Sequence, residues 1–309
     1  MFSEAQNLAI VRTELDTVFF QNFDYDATDP GIATARTGMI FKDIPFDRAQ
    51  YIGEVNSNVG LWNVISESET VPQGTPHVTN KYNVQILDFA KGIELTKDLF
   101  DDNMHGVWSH DVADFALKAR VTQDNNAFKV FRNAFTTQLT PDGVAAISAA
   151  HPLIGGGTTS NLISGALSST TLNTAIVALR NQVDQTNVVL GGVPSMLLVP
   201  SELFKLATEI TESALISDSA NNALNVYRSA YGITVWASPQ LSAAVAGGSA
   251  TAWFLMTRNN GVIRIVRQGI ETALRDWRYS NNRTYFYQGN FREEVYVQDY
   301  SGLVGSTGL

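Results

Sequence analysis

The period of apolar residues changes several times along the chain, and each change marks a different element. Leu8, Val11, Leu15, Val18 and Phe19 stand three and four apart, which predicts an amphipathic helix over 4–20. Little apolar pattern survives from Asp24 to Thr37, where Asp-Pro-Gly occupies 29–31, so an irregular arm is expected there. Tyr51, Gly53 and Val55, then Val59, Leu61 and Val64-Ile65, read as extended chain. Glu67, Glu69, Pro72, Gly74 and Pro76 interrupt it with turn chemistry. Tyr82, Val84 and Ile86 then alternate with Asn83 and Gln85, the period of a half-buried strand, and apolar residues continue through Ile93 and Leu95. Residues 46–95 together predict one long hairpin with a polar, proline-bearing tip. A two-stranded hairpin is marginal alone in water, so this one needs a surface to lie on.

Asp111 to Phe135 carries the strongest helical pattern. Val112, Phe115, Ala116, Ala119, Ala127, Val130, Phe131 and Ala134 trace one stripe, charged residues lie mostly elsewhere, and Gly and Pro are absent. At ~1.5 Å rise per residue this spine would be close to 38 Å long. Beyond Thr140-Pro-Asp-Gly143 and Gly155-Gly-Gly157, helices and short strands alternate. Ser169 or Thr170 caps a helix through Leu172, Ala175, Ile176 and Leu179. Met196–Val199, Gly232–Trp236, Trp253–Met256 and Val262–Val266 read as strands, and Pro200-Ser201 opens a helix. The tail from Arg283 to Gly302 reads as a late antiparallel pair turning at Gly289-Asn290. The whole is of the α+β class with a compact α/β region toward its end.

Composition narrows the chemistry. Hydrophobic residues make up 44% of the 309 and charged residues 17%, a balance that supports a real core. Cysteine is absent, which excludes disulfides, thiolate catalysis and thiolate metal sites. The opening MFSEAQNLAI does not read as a secretory signal, and no stretch of about 20 residues is apolar enough for a membrane span. The formal net charge of −9 argues against a surface that grips nucleic acid, although seven of the fourteen arginines lie beyond Ala250. An acidic container is still compatible with DNA, because a wall need not hold its contents tightly.

Candidate catalytic and metal motifs fail on spacing. His77, His105, His110 and His151 form no zincin pattern, and His151 before Pro152 reads as a structural histidine at a turn. Gly155-Gly156-Gly157-Thr158-Thr159 lacks the lysine of a phosphate loop. There is no Gly-x-Ser-x-Gly string. Asp101-Asp102 and Glu293-Glu294 are sequence neighbours whose side chains diverge, so both pairs are expected to be solvated. No catalytic residue, cofactor site or metal site is assigned.

Several short runs carry a family resemblance. Ile65-Ser-Glu-Ser-Glu-Thr-Val-Pro72 and Ala90-Lys-Gly-Ile-Glu-Leu-Thr-Lys-Asp98 are followed by His151-Pro152, Gly155-Gly156, Asn161-Leu162, Leu167-Ser168, Leu197-Leu198-Val199-Pro200 and Leu203. Trp253-Phe254-Leu255 and Gly289-Asn290-Phe291-Arg292 complete the series. In content and order these resemble the major capsid proteins of tailed bacteriophages with the Hong Kong ninety-seven fold, close to the Mu-like head subunits. The resemblance implies an N-terminal arm (1–45), an extended loop (46–95), a peripheral domain with the spine helix (96–150), an axial domain (151–265) and returning strands (266–309).

That likeness implies self-assembly into the hexamers and pentamers of an icosahedral shell around double-stranded DNA, bound without sequence specificity. It further implies portal and scaffold or decoration proteins as partners, no membrane, and a virion assembled in the host bacterial cytoplasm. In this family the loop lies over an adjacent subunit, so Glu67 and Glu69 would meet arginines such as Arg275, Arg278 or Arg283. Some relatives cross-link a loop lysine. Lys81 lies in the loop region, but nothing identifies a partner asparagine or a catalytic glutamate. Encapsulin-type compartments share this fold and are the nearest alternative; an enzyme with an unrecognised site in the α/β region is a second.

Overall fold

The computed structural model describes residues 4–24, 31–56, 61–74, 78–98, 107–154, 156–213, 225–279 and 282–309. The chain begins with helix α1 (Glu4–Asp24), strand β1 (Lys42–Pro45), strands β2 (Gln50–Asn56) and β3 (Val78–Gln85), strand β4 (Leu87–Thr96) and the long helix α2 (Val107–Arg132). Short strands β5 (His151–Pro152), β6 (Thr158–Thr159) and β7 (Leu162–Ile163) precede α3 (Ser169–Arg180), β8 (Pro194–Pro200), α4 (Phe204–Glu212), β9 (Thr234–Ser238) and β10 (Trp253–Thr257). Two long strands, β11 (Val262–Arg275) and β12 (Thr284–Val297), and the short β13 (Leu303–Ser306) complete it.

A five-stranded sheet in the order β7-β13-β10-β8-β9 is buried on both faces. Successive side chains on a strand point to opposite sides. Met196 and Leu198 of β8 and Phe254 and Met256 of β10 therefore enter one core with α2. Leu197, Val199, Trp253 and Leu255 enter another with α3 and Ala207 of α4. Double burial is why these strands read as unbroken apolar runs rather than alternating ones. Helix α3 is capped one residue earlier than its sequence suggests. Ser168 Oγ accepts from Thr171 N at 3.2 Å, and Thr171 Oγ1 accepts from Ser168 N at 2.9 Å, a reciprocal capping box.

The second sheet runs β1-β11-β12-β4, with β1 parallel to β11 and the rest antiparallel. Here the tail departs from expectation. Residues 284–297 form one continuous strand, not a pair turning at Gly289-Asn290. Both residues sit mid-ladder, Gly289 opposite Thr272 and Lys91, Asn290 opposite Glu271 and Ala90. Two neighbouring strands supply ladder bonds there, which outweighs the local turn preference of Gly-Asn.

Residues 46–95 also divide. Ile86 separates β3, which pairs with β2, from β4, which joins the long sheet as an outer strand. Only 50–85 belongs to the hairpin. Gly92 on β4 leaves room for the Phe286 ring, which a Cβ there would have to displace, since it would fall 2.3 Å away.

Helix α2 spans 26 residues and lies against β12. Val112, Phe115 and Ala116 pack with Leu15, Phe19 and Phe23 of α1 and with Tyr287. Ala127, Phe128, Val130 and Phe131 face the five-stranded sheet. The arm is less independent than its sequence suggests. Ala33, Ala35, Ile40 and Phe41 are buried in the same core, and residues 31–33 seal the outer side of β9. Ala33 N donates to Ala237 O and Ala237 N to Gly31 O, each at 2.7 Å. Small side chains and backbone bonds do this work, so no apolar periodicity announces it.

Candidate assembly surfaces

The β2–β3 hairpin is anchored at its base and bare toward its tip. Tyr82 stacks on Tyr296 of β12 with ring centroids 4.9 Å apart, and Val84 joins Ile263 and Ile265 beneath it. Gly53 is obligatory opposite Tyr82, because a Cβ would fall 2.0 Å from the phenol ring. Beyond the strands, residues 61–74 form no regular structure and are exposed throughout. Leu61 is 75% exposed, Trp62 95% and Val64 99%, with Val71 exposed as well. The tip is therefore not simply polar. An apolar stretch precedes the acidic one, and exposed apolar side chains gathered in one place mark a contact surface. Alternation alone could not reveal this, because exposed and buried extended chain look alike in sequence.

The sequence-assigned assembly residues are spread over two regions. Glu67 and Glu69 lie on the exposed segment, and Glu69 Oε2 accepts from Ser66 N at 2.8 Å in a local turn. Lys81 on β3 pairs with Glu54 across the hairpin at 2.8 Å. Arg275 ends β11 and is exposed. Arg278 is held by Asp276, with Nη2 2.7 Å from Oδ2. Arg283, at a φ of +54°, sits 3.6 Å from Asp98. Among the described residues, the loop acids meet none of these arginines within the chain. His77, His105 and Asp101-Asp102 lie outside the described residues, and His110 is exposed on α2.

Glu293-Glu294 is not a solvated pair. The two carboxylates do diverge, but Glu293 is almost wholly buried beside α2 and Glu294 is half-buried. Glu293 shares its parity with Phe291 and Val295, which could have placed it inside. Burial pushes Glu293 up to about 7, only partly opposed by Arg264. Its Oε2 receives Gln123 Nε2 at 3.4 Å and lies 3.8 Å from Arg264 Nη1. Arg264 in turn holds Asp43 of β1 through two bonds of 2.8 and 2.6 Å. This cluster ties the arm, the spine helix and the long sheet at one point.

His151 is the structural histidine its context suggests. It is fully buried, with Nδ1 2.7 Å from Asp142 and Nε2 3.1 Å from Asn161, and its ring stacks on Tyr300 at 4.0 Å. Burial alone would raise Asp142. Hydrogen bonds from His151, Thr140 and Val144 outweigh it and hold the carboxyl below its usual range. A cavity of about 290 Å³ opens beside this group, lined by Asp142, Asp184 and Asp299 among others. Each of these carboxylates accepts bonds in its own turn, from Val144, Val188 and Ser301 respectively. They order loops rather than converge on a reacting atom. Among the described residues, no group of three or more histidines or acids could hold a metal, and no helix is long and apolar enough to cross a membrane.

Known structures share this architecture. The capsid of the cyanophage P-SCSP1u superposes with a TM-score of 0.57 at 13% identity, covering 90% of this chain and 89% of that one. The capsid of a native GTA particle gives 0.56 at 12% identity, covering 89% and 90%. A virus-like particle from Pyrococcus furiosus gives 0.55 at 6%, covering 95% and 98%. These identities establish the fold alone. No curated protein sequence matches the chain. A family model described as phage capsid protein matches residues 80–306, from the returning strand of the hairpin to the last strand of the five-stranded sheet. With most of its length inside that match and a capsid fold throughout, the chain belongs to the phage capsid protein family.

Proposed function

We propose that this chain is the major capsid protein of a tailed bacteriophage, a structural subunit that builds pentamers and hexamers of an icosahedral shell around double-stranded DNA. The observation that carries the reading is the bare apolar stretch at 61–71, projecting on an anchored hairpin from a body of the capsid family. A surface like that is stable only when another subunit covers it. In this reading 1–45 is the arm, the 50–85 hairpin the extended loop, 87–150 the peripheral region with β4 in its long sheet, 151–265 the axial region, and 266–309 the returning strands.

Loop acids Glu67 and Glu69 meet arginines of a neighbour. Arg275 is the best placed of the three candidates, since Arg278 and Arg283 already have acidic neighbours in the chain. Exposed pairs of this kind contribute about 0–1 kcal/mol each and matter only through repetition around a shell. Lys81 is engaged by Glu54, so it contributes to hairpin register. A portal, a scaffold or decoration proteins complete the particle, which assembles in the bacterial cytoplasm.

Expression of the chain followed by negative-stain microscopy tests this directly. Closed shells of uniform diameter are expected, from the chain alone or in an infected-cell lysate that supplies a scaffold, and a chain that stays monomeric in both would sink the reading. The contents of particles from infected cells separate the head of a virus from a protein compartment: packaged double-stranded DNA supports the first, folded protein cargo the second.

A further inference from the structure

The cavity of about 290 Å³ beside His151 lies where the hairpin meets the body. Segments far apart in sequence close around it. Strand β2 contributes Val55, the loop after α2 Asp142, and the turn after α3 Asp184 and Leu190. The turn between β12 and β13 adds Asp299 and Tyr300. Each acid is placed by bonds within its own turn, so three carboxylates reach one wall independently. Among the described residues no lysine or arginine lines the cavity to offset them.

Tyr300 is the second observation. It is only 4% exposed, yet its hydroxyl finds no hydrogen-bond partner within the chain. The stack on His151 holds the ring in place, and a buried hydroxyl left unpaired costs free energy. Burial, with the charges of Asp299, Asp142 and Asp184, pushes this phenol up to about 12. It therefore keeps its proton at neutral pH, and all three carboxylates bear on it. Gln185 Oε1, another oxygen of the lining, is likewise unpaired in the chain. Oxygens without a donor, beside anions without a lining cation, suit a guest that is cationic and rich in N–H groups.

The rest of the wall narrows the guest. No three acids among the described residues could enclose a bare metal ion, so the charges are too dispersed for one. Val55 and Leu190 add apolar surface beside them. Dispersed anions with apolar surface suit a linear chain of methylenes that carries ammonium groups at intervals. A single lysine from another protein would bring one charge to three. We propose that this cavity binds an aliphatic polyamine, its ammonium groups directed to Asp142, Asp184 and Asp299. N–H groups of the guest donate to the Tyr300 hydroxyl and Gln185 Oε1, and its methylenes lie against Val55 and Leu190. Because Val55 belongs to the hairpin, the guest bridges the hairpin to the body. The site is complete in one subunit and does not depend on the assembly reading.

Equilibrium dialysis of the full chain against labelled spermidine at physiological salt tests this. One molecule bound per chain is expected. Asp299→Asn should weaken binding about tenfold, the loss of one charge-assisted contact. Tyr300→Phe, which keeps the ring on His151, should weaken it by a smaller factor. Gln185→Lys puts a tethered ammonium into the cavity and should abolish binding in a protein that still melts like its parent by circular dichroism. Glu67→Gln with Glu69→Gln removes two charges elsewhere and should change nothing. Magnesium at equal concentration should not displace the amine. Absence of saturable binding overturns the proposal, as does binding that survives in a folded Gln185→Lys. Loss as large with the Glu67 and Glu69 changes as with Asp299→Asn would show diffuse charge attraction and also overturns it; displacement by magnesium would show a bare-ion site and does the same. If Gln185→Lys does not fold, Asp299→Asn and Tyr300→Phe decide, and unchanged binding in both is fatal.

Discussion

Tyr287 of β12 donates a 2.8 Å hydrogen bond to Asp16 Oδ1 of α1, joining residues 271 positions apart. Thr272 of β11 donates to the same oxygen at 2.7 Å. One carboxylate thus pins the first helix to the central strands of the long sheet, and the first helix folds as part of its own subunit. Tyr287→Phe keeps the ring packed among Phe19 and Phe115 and removes only the charge-assisted bond. The expected loss is about 1.5 kcal/mol, with Thr272 limiting the damage. Urea denaturation of the unassembled subunit measures it, and an unchanged midpoint would show that the contact is incidental.

Ala127 sits fully buried in α2 between the two aromatic residues it precedes and the sheet. Ala127→Pro removes a backbone donor and collides with the preceding turn, at a cost of about 3 kcal/mol or more. Phe128 and Phe131 would lose register with Phe41 and Phe254. Insoluble protein is the expected result. A normal yield of assembled product would mean that the helix is not central.

Glu293 makes stability depend on pH in a direction opposite to most carboxylates. Its folded value of about 7 exceeds the usual 4.5, so the folded state binds the extra proton between those limits. Stability is then full below about 4.5 and declines as pH rises toward 7, by roughly 3 kcal/mol at most. Arg264, Arg36, Asp43 and Asp124 all face this carboxyl and set the balance. Glu293→Gln should remove that decline and leave the subunit more stable than its parent at pH 8. Asp142, held low by its partners, works the other way and is common to both proteins. The difference between parent and variant therefore isolates Glu293; parallel melting curves across pH 5–8 would contradict the assignment.

Deleting residues 66–79 and closing the gap with a short turn should leave the subunit soluble. The cores formed by α1, α2, α3 and the two large sheets contain no residue of that segment. Circular dichroism should show unchanged helix content while negative-stain microscopy shows no regular shell. Normal particles would make the loop decoration, and a failure to fold would place it in the core.

Much of this architecture could be read from period alone, and the failures share a cause. The spine helix was legible because Val112, Phe115, Ala127 and Phe131 repeat on one face, and β8 and β10 because both of their faces are apolar. His151 was legible from its place at a turn. Three features were not. Glu293 looked solvated because a charged residue is usually outside, whereas its strand parity with Phe291 and Val295 put it in. Gly289-Asn290 looked like a turn because turn preference is local, while the ladder that overrides it comes from residues 88–96 and 268–275. The Trp62 surface was hidden because exposed and buried extended chain carry the same apolar pattern, and only the fold shows which of the two this segment is.

The position of β4 at the outside of the long sheet has a consequence for how the protein behaves when crowded. Ten residues of backbone, Leu87–Thr96, present a row of hydrogen-bonding groups with a strand neighbour on one side only among the described residues. Such a row is a template for fibrous aggregation in any protein that must accumulate before it assembles. Asp88, Lys91 and Glu94 are spaced along it. Stacking identical copies in register at ~4.8 Å would set each charge over its own kind. The strand thus repels its own duplicate while leaving a different strand of complementary charge free to approach, and competition between ordered growth and precipitation is biased before any shell begins to close.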